Sequence, residues 1–301
     1  MPLNTFAATV AAVLKVGAHP VPSGLDPRDL GMAAWDVLDA VDGVGARAVV
    51  AVHLGGFIPH DFDLLLAGCR ARGVAVIEDC AHALGAELGA VGSAGSRGDA
   101  GCFSFYPTKI LTAGVGGILT TNHVRIAEGA RRLRHHGGAA NGGLAGVVGD
   151  DWLMSEITAG GARAQLRRLD DFLGRRRAVA AAYDVALAND ARIEPIPRAP
   201  GTRSSFYKYP VLLRSADRGK VQRRLADRGI ETGVLYDPPW TGHPAFQATL
   251  REAKAGGWWR GFGSWTDHGT LCRQLCLPMH AAVEVGDVPE IVGLLREAMA
   301  P

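Results

Sequence analysis

The apolar positions of the chain fall into two rhythms. From Thr5 to Val16, Ala, Val and Leu recur at helical spacing and stop at Gly17, which predicts a helix with a glycine at its C-terminal end. Ala33–Val41 and Asp61–Arg72 repeat that spacing and predict two more helices. Ala46 to His53 is a near-continuous Val/Ala run and Val74 to Ile77 a shorter one; such runs predict strands buried on both faces. His19–Val21 predicts a further short strand. Gly116–Thr121 reads as a strand and Val124–Arg134 as a helix. Strand–helix–strand alternation of this kind predicts a parallel sheet covered on both faces.

The second half reads differently. Gly137–Asp151 is glycine-rich and predicts a loop. Ser155–Leu187 predicts one long helix, with Ser155 as N-cap and an apolar stripe of Leu166, Leu169, Phe172 and Leu173. Gly160-Gly161 inside it is unfavourable by about 1 kcal/mol per residue against Ala, which predicts close packing or a kink there. Asn189–Gly201 is Pro-rich and predicts a linker. A second αβ unit follows: a strand at Phe206–Leu213, a helix at Ala216–Arg228, a strand at Ile230–Leu235 and a closing helix at Val288–Met299. The expected fold class is α/β: a mostly parallel sheet with helices on both faces, residues 1–175, plus a smaller C-terminal αβ domain, residues 176–301. Gly256–Trp265 holds three of the six tryptophans and predicts a loop, packed on its own aromatics or acting as a flap over a substrate.

Composition narrows the classes. The 301 residues are 48% hydrophobic, enough for a large core. A formal charge of +2 suggests neither a nucleic-acid nor a membrane-surface partner. No apolar run approaches the roughly 20 residues of a membrane span, and Met1–Thr5 has no signal-peptide character. The five cysteines are an odd count without metal-ligand spacing, so no metal is expected and a reducing, cytoplasmic compartment is.

The chemistry concentrates at two strand ends. Val74–Ile77 runs into Glu78-Asp79-Cys80-Ala81-His82-Ala83. A second apolar run, through Phe103 and Phe105, leads to Pro107-Thr108-Lys109 and then to Gly114–Gly117. Ligands of open α/β sheets bind at the carboxyl ends of strands. A carboxylate at a buried strand end calls for a cation, unless Asp79 only caps a helix. A poorly solvated lysine loses its proton more readily and becomes an amine nucleophile, unless Lys109 is a surface lysine.

These residues resemble a known family. Asp79-x-x-His82-Ala83, Gly98-Asp99-Ala100 and Ser104-Phe105-x-x-Thr108-Lys109, with His243-Pro244-Ala245-Phe246 and Leu277-Pro278-Met279-His280 further on, resemble DegT/StrS-type aminotransferases that use pyridoxal 5′-phosphate (PLP). The resemblance runs from about Thr5 to the C-terminus. It implies the fold-type I architecture and a homodimer with sites at the interface. It implies Lys109 as the Schiff-base lysine, Asp79 as partner of the pyridine nitrogen and His82 beside the ring hydroxyl. Ser104 would bind the phosphate, and Phe6 would stack on the ring. Tyr236, His243 and Lys208 are candidates for the substrate side. The implied reaction moves an amino group from glutamate or glutamine to a keto sugar nucleotide or keto-cyclitol.

The chain also departs from the family pattern. Members carry a segment ahead of the Thr5-Phe6 helix with a Gly-Thr-type turn for the phosphate, and no such turn precedes Thr5. Asp151 and Leu153 stand where Asn-x-Arg is usual, and Val115 where an acidic residue is. A shortened chain with a weakened phosphate cup is therefore expected. The alternative is a non-catalytic or half-site subunit completed by a second, complementing chain.

Overall fold

The computed structural model describes residues 1–89, 92–138, 143, 146–257 and 268–300. In chain order the first elements are α1 (Ala7–Lys15), α2 (Ala34–Val44), β1 (Ala48–Val52), α3 (Phe62–Ala71), β2 (Ala75–Asp79), β3 (Glu87–Leu88), β4 (Ala100–Ser104), β5 (Gly117–Thr120) and α4 (Val124–Leu133). The main sheet has the order β1-β2-β4-β5. The first two pairings are parallel, and β4–β5 is antiparallel. In register, Val52 lies beside Asp79 and Asp79 beside Cys102, so β1, β2 and β4 end at one edge. Alternation decides what each strand residue meets. Val49, Ala51 and Val76 pack with Phe62, Leu65 and Cys69 of α3 and with Val37 and Val41 of α2. Val50 and Val52 point the other way, towards Leu235 and Cys276.

The remaining elements are α5 (Glu156–Leu166), α6 (Leu169–Leu187), β6 (Ile193–Pro195), β7 (Thr202–Arg203), β8 (Tyr209–Leu213), α7 (Arg218–Ala226), α8 (Gln247–Ala255), α9 (His268–Arg273), β9 (Gln274–Leu277) and α10 (Val288–Ala298). A second, antiparallel sheet has the order β6-β8-β9. Its core joins Tyr183 and Leu187 of α6, Val211 and Leu213 of β8 and Ile291 and Leu295 of α10.

Four expectations are corrected. The Ser155–Leu187 helix is two helices, with Ser155 accepting the Thr158 N–H at the start of α5. The break falls at Arg167-Arg168, not at Gly160-Gly161, because the two parts serve different neighbours. Gln165 at the end of α5 accepts the Thr112 N–H, whereas Leu173 of α6 turns into a cluster with Ile110 and Tyr207. The linker contains β6, an edge strand, where a proline costs no ladder bond. Ile230–Leu235 is not a strand: it contributes a single bridge, Gly233 to Cys276, and the ladder belongs to β9. His19–Val21 forms no strand; just after it, Ser23 bridges to Pro2 and Leu25 to Met32. The tryptophan-rich loop lies largely outside the described residues.

Of two arginines on α6, Arg176 ties the helix to the C-terminal part and Arg177 joins the halves. Arg176 Nη1 donates to the carbonyls of Phe206 (3.1 Å) and Met279 (2.7 Å). Arg177 donates to those of Ser204 (3.1 Å) and Gly85 (3.0 Å). Among the described residues no helix is long and apolar enough to cross a membrane.

Candidate active site

A cleft of about 1330 Å³ opens at the carboxyl edge of the main sheet, and Phe6, Asp79, His82, Ser104 and Lys109 all line it. These five come from four places: the N-terminal end of α1, the end of β2 with the turn after it, the end of β4, and the loop between β4 and β5.

Asp79 closes β2. Its Oδ2 accepts from Thr9 Oγ1 (2.8 Å), which in turn accepts from Thr5 Oγ1 (2.9 Å). Its Oδ1 accepts the Ala81 N–H (3.1 Å). The local capping role and an orientation towards the cleft therefore coexist. The carboxylate is fixed by two donors, Thr9 and Ala81, but has no cationic side chain hydrogen-bonded to it among the described residues.

His82 is 7% exposed. The Gly55 N–H donates to its Nδ1 (3.2 Å), which leaves the proton on Nε2, 3.3 Å from the Tyr236 hydroxyl. Its ring stacks on Tyr207 with centroids 4.2 Å apart. Burial, with the charges of Lys109 and Lys208, holds it well below the usual histidine range, so it is a neutral donor. Gly55 has φ +66, and a Cβ there would press on Leu235 and Phe57 at 3.1 and 3.2 Å. Only glycine offers this N–H to His82 without strain.

Lys109 sits in a loop closed by Phe105 N–H to Gly116 C=O and anchored by buried Ile110 and Leu111. Its Nζ lies 4.8 Å from the centre of the Tyr207 ring. Burial pushes its amine below the ordinary lysine value; the Asp79 carboxylate opposes this and the Lys208 charge adds to it. Ser104 Oγ accepts the Tyr106 N–H (3.3 Å), so its own proton is free for an incoming acceptor. Phe6 is 59% exposed, with its ring 5.8 Å from that of Tyr236.

Of the weaker candidates, Tyr236 lines the cleft and has φ +61, an uncommon conformation for a tyrosine. Lys208 lies over another cleft tyrosine, Tyr207, and is not itself among the residues that line the cleft. His243 is exposed and spends Nδ1 on the Ala245 N–H, outside the cleft lining. Sequence reasoning missed Thr9 and Tyr207 as site residues. Thr9 stood in plain view, one helical turn from Phe6. Tyr207 precedes β8 and reaches the site only through the tertiary fold. Val115 and Leu153 are exposed and, like Asp151, lie outside the cleft lining.

One buried cluster beside the cleft has the elements of a metal site: His53, Glu78 and Cys80, with ligand atoms within 4.8 Å of one another. Its chemistry is that of a staple. Glu78 Oε2 pairs with His53 Nε2 (2.8 Å) and accepts the Gly95 N–H (2.8 Å); Oε1 accepts those of Arg97 (2.8 Å) and Gly98 (2.7 Å). Burial pushes the Cys80 thiol far up, away from the thiolate a metal needs.

The strand-end lysine, carboxylate and neutral histidine have counterparts to be sought among known proteins. A solved aminotransferase, TlmJ from Streptoalloteichus hindustanus, superposes with a TM-score of 0.86 at 32% identity, covering 99% of this chain and 77% of its own. A GDP-perosamine synthase from Caulobacter vibrioides is 33% identical over 99% of this chain and 78% of its own length. A dTDP-4-dehydro-2,3,6-trideoxy-D-glucose 4-aminotransferase from Saccharopolyspora spinosa is 29% identical over 99% of this chain and 77% of its own length. Residues 1–296 match a single family throughout, and the chain belongs to it: the DegT/DnrJ/EryC1/StrS aminotransferase family.

Proposed function

We propose that the chain is a PLP-dependent aminotransferase that moves an amino group from glutamate or glutamine to a keto sugar nucleotide. The convergence of Lys109, Asp79, His82, Ser104 and Phe6 on one cleft carries this reading. The names of the relatives point to nucleotide-linked sugars. A keto-cyclitol is the second acceptor class to test.

The donor set fits the cofactor. Asp79, with its carboxylate aimed by Thr9 and Ala81, would hold a proton on the pyridine nitrogen. Neutral His82 would donate from Nε2 to the ring hydroxyl. Ser104 would donate to the phosphate, and Phe6 would cover the ring. When bound, PLP supplies the electron sink that lets an amino group pass between two carbon skeletons. The chain's part is to hold substrate against that ring and to move protons at Lys109 Nζ, an amine that burial keeps ready to accept one. Residues 1–175 would carry the cofactor, and residues 176–301 would wall the cleft with Tyr207 and Tyr236. Five free cysteines suit a cytoplasmic enzyme.

The test is chemical. The purified chain is incubated with PLP, reduced with borohydride and digested. A pyridoxyl adduct mapped to Lys109, absent from Lys109→Ala, is expected. No adduct at saturating PLP would sink the stand-alone enzyme and favour the half-site subunit.

A homodimer is part of the proposal. Val115 and Ile118, and Val148, Trp152, Leu153 and Ile157 from a second segment, are all 48% exposed or more. The two segments meet where Met154 fills the space beside Gly116. Apolar surface of this extent calls for a partner. Light scattering on the eluting protein should give twice the chain mass, and Ile157→Glu should shift it towards a monomer.

A further inference from the structure

Lys208, a candidate for the substrate side, has no defined role in the reading above. Its backbone N–H donates to the Gly55 carbonyl (3.1 Å), on the same glycine whose N–H holds His82. Its Nζ lies 5.3 Å from the centre of the Tyr207 ring, and that of Lys109 lies 4.8 Å from the same point. The two ammoniums are thus no further apart than the sum of these distances. Among the described residues no carboxylate pairs with Lys208. It is half-buried, and it shares the Tyr207 ring with the amine where the chemistry is proposed to occur. Both His82 and Lys109 feel its charge. A half-exposed ammonium without a carboxylate partner is open to an incoming anion.

The incoming anions differ in where they carry their charge. A keto sugar nucleotide bears it on the diphosphate, several bonds from the keto carbon. An α-amino acid bears a carboxylate one carbon from its amine, and that amine has to arrive where Lys109 Nζ stands. The phosphate of the cofactor belongs with Ser104, at the end of β4, whereas Lys208 stands beside His82 and Tyr207. We propose that Lys208 is the carboxylate-binding residue for the amino donor, so that the site takes its amino group from an α-amino acid held by its carboxylate. This rests on the aminotransferase reading above. Pairing with that carboxylate would also relieve the repulsion between the two lysines each time a donor binds.

Glutarate is the probe: it carries the two carboxylates of glutamate but no amine, so it binds without reacting. Calorimetric titration of glutarate into the PLP-loaded protein is compared for wild type, Lys208→Met, Lys208→Arg and, as a control, the exposed helix lysine in Lys220→Met. Lys208→Met should weaken glutarate roughly 10- to 100-fold, the usual loss for a charge-assisted contact. Lys208→Arg should restore most of it, and Lys220→Met should change nothing. In steady state, Lys208→Met should raise KM for the donor and leave KM for the keto sugar unchanged. Glutarate affinity unchanged in Lys208→Met, or an equal loss in Lys220→Met, overturns the proposal. Borohydride mapping on the same proteins separates the two levels. An adduct on Lys109 with unchanged glutarate binding rejects the role of Lys208 alone, and no adduct in wild type rejects the aminotransferase reading and this inference with it.

Discussion

Lys109→Ala is expected to lower amino transfer by about 1000-fold or more while leaving the protein folded. The two effects separate by magnitude. The side chain's visible packing is a cation–π contact with Tyr207, worth about 0.5–1 kcal/mol, too little to unfold a domain. Its proposed chemistry combines a covalent attachment with a general base, and the base alone supplies roughly 100- to 10,000-fold. Lys109→Arg should fail as well, because a guanidinium does not give up its proton at working pH. Single-turnover transfer to a keto sugar nucleotide, with circular dichroism as the folding control, measures both. The sign of the pH dependence follows from burial. Holding the amine below its ordinary value raises the neutral fraction, so labelling of Lys109 by an amine-directed reagent should reach half-maximum at lower pH than for an exposed lysine. Asp79→Asn should lower that midpoint further, since the carboxylate works against burial. Transfer by Lys109→Ala at a rate near wild type would overturn the assignment.

Glu78→Ala should produce the largest loss of stability. It strands four groups at once: the backbone N–H groups of Gly95, Arg97 and Gly98, and the buried ring of His53. An unsatisfied buried donor costs about 1–3 kcal/mol, so a loss on the order of 4 kcal/mol or more is expected even after relaxation. That is a large share of a typical domain's total stability. Glu78→Gln should cost less, because the amide keeps the shape but turns an NH₂ towards other N–H donors. Burial works to raise the Glu78 pKa, but the hydrogen bonds from His53 and the backbone outweigh it, and the net direction is down. A depressed carboxylate stabilises the fold fully above its unfolded value of about 4.3 and loses that contribution as pH falls through the folded value. Urea melts at neutral pH and in acid measure both effects. A Glu78→Ala midpoint equal to wild type would show that the staple does not hold the turn. Activity should fall with stability, since the turn at Gly95 touches β4 where a Cβ on Gly101 would sit.

Asp79, Ser104 and Lys109 were legible because each closes or follows an apolar run, and such runs make strands whose ends are predictable. Apart from α8 and α9, which the pattern did not predict, the helices were legible from their stripes, to within a few residues. The break at Arg167 was not, because one stripe continues through it while the packing partner changes from Thr112 to Ile110 and Tyr207. Strand β9 escaped because all four of its residues are buried and show no alternation. Tyr207 reaches Thr108 across 99 residues of chain, and Lys208 comes with it. A local pattern cannot express such a neighbour. His243 shows the converse: its motif was recognisable, yet its ring caps a turn outside the cleft.

The hydrogen-bonded seam between the two sheets has a mechanical consequence. Prising the two sheets apart means breaking the bond from Arg177 to Gly85, worth roughly 1.5–3 kcal/mol as a charged contact, together with those from Ser204, Ser205 and Lys208 to Gly55, Gly56 and His82. Hinge bending between the two sheets is therefore a stiff coordinate. The same stitching makes heat unfold both sheets in one cooperative transition.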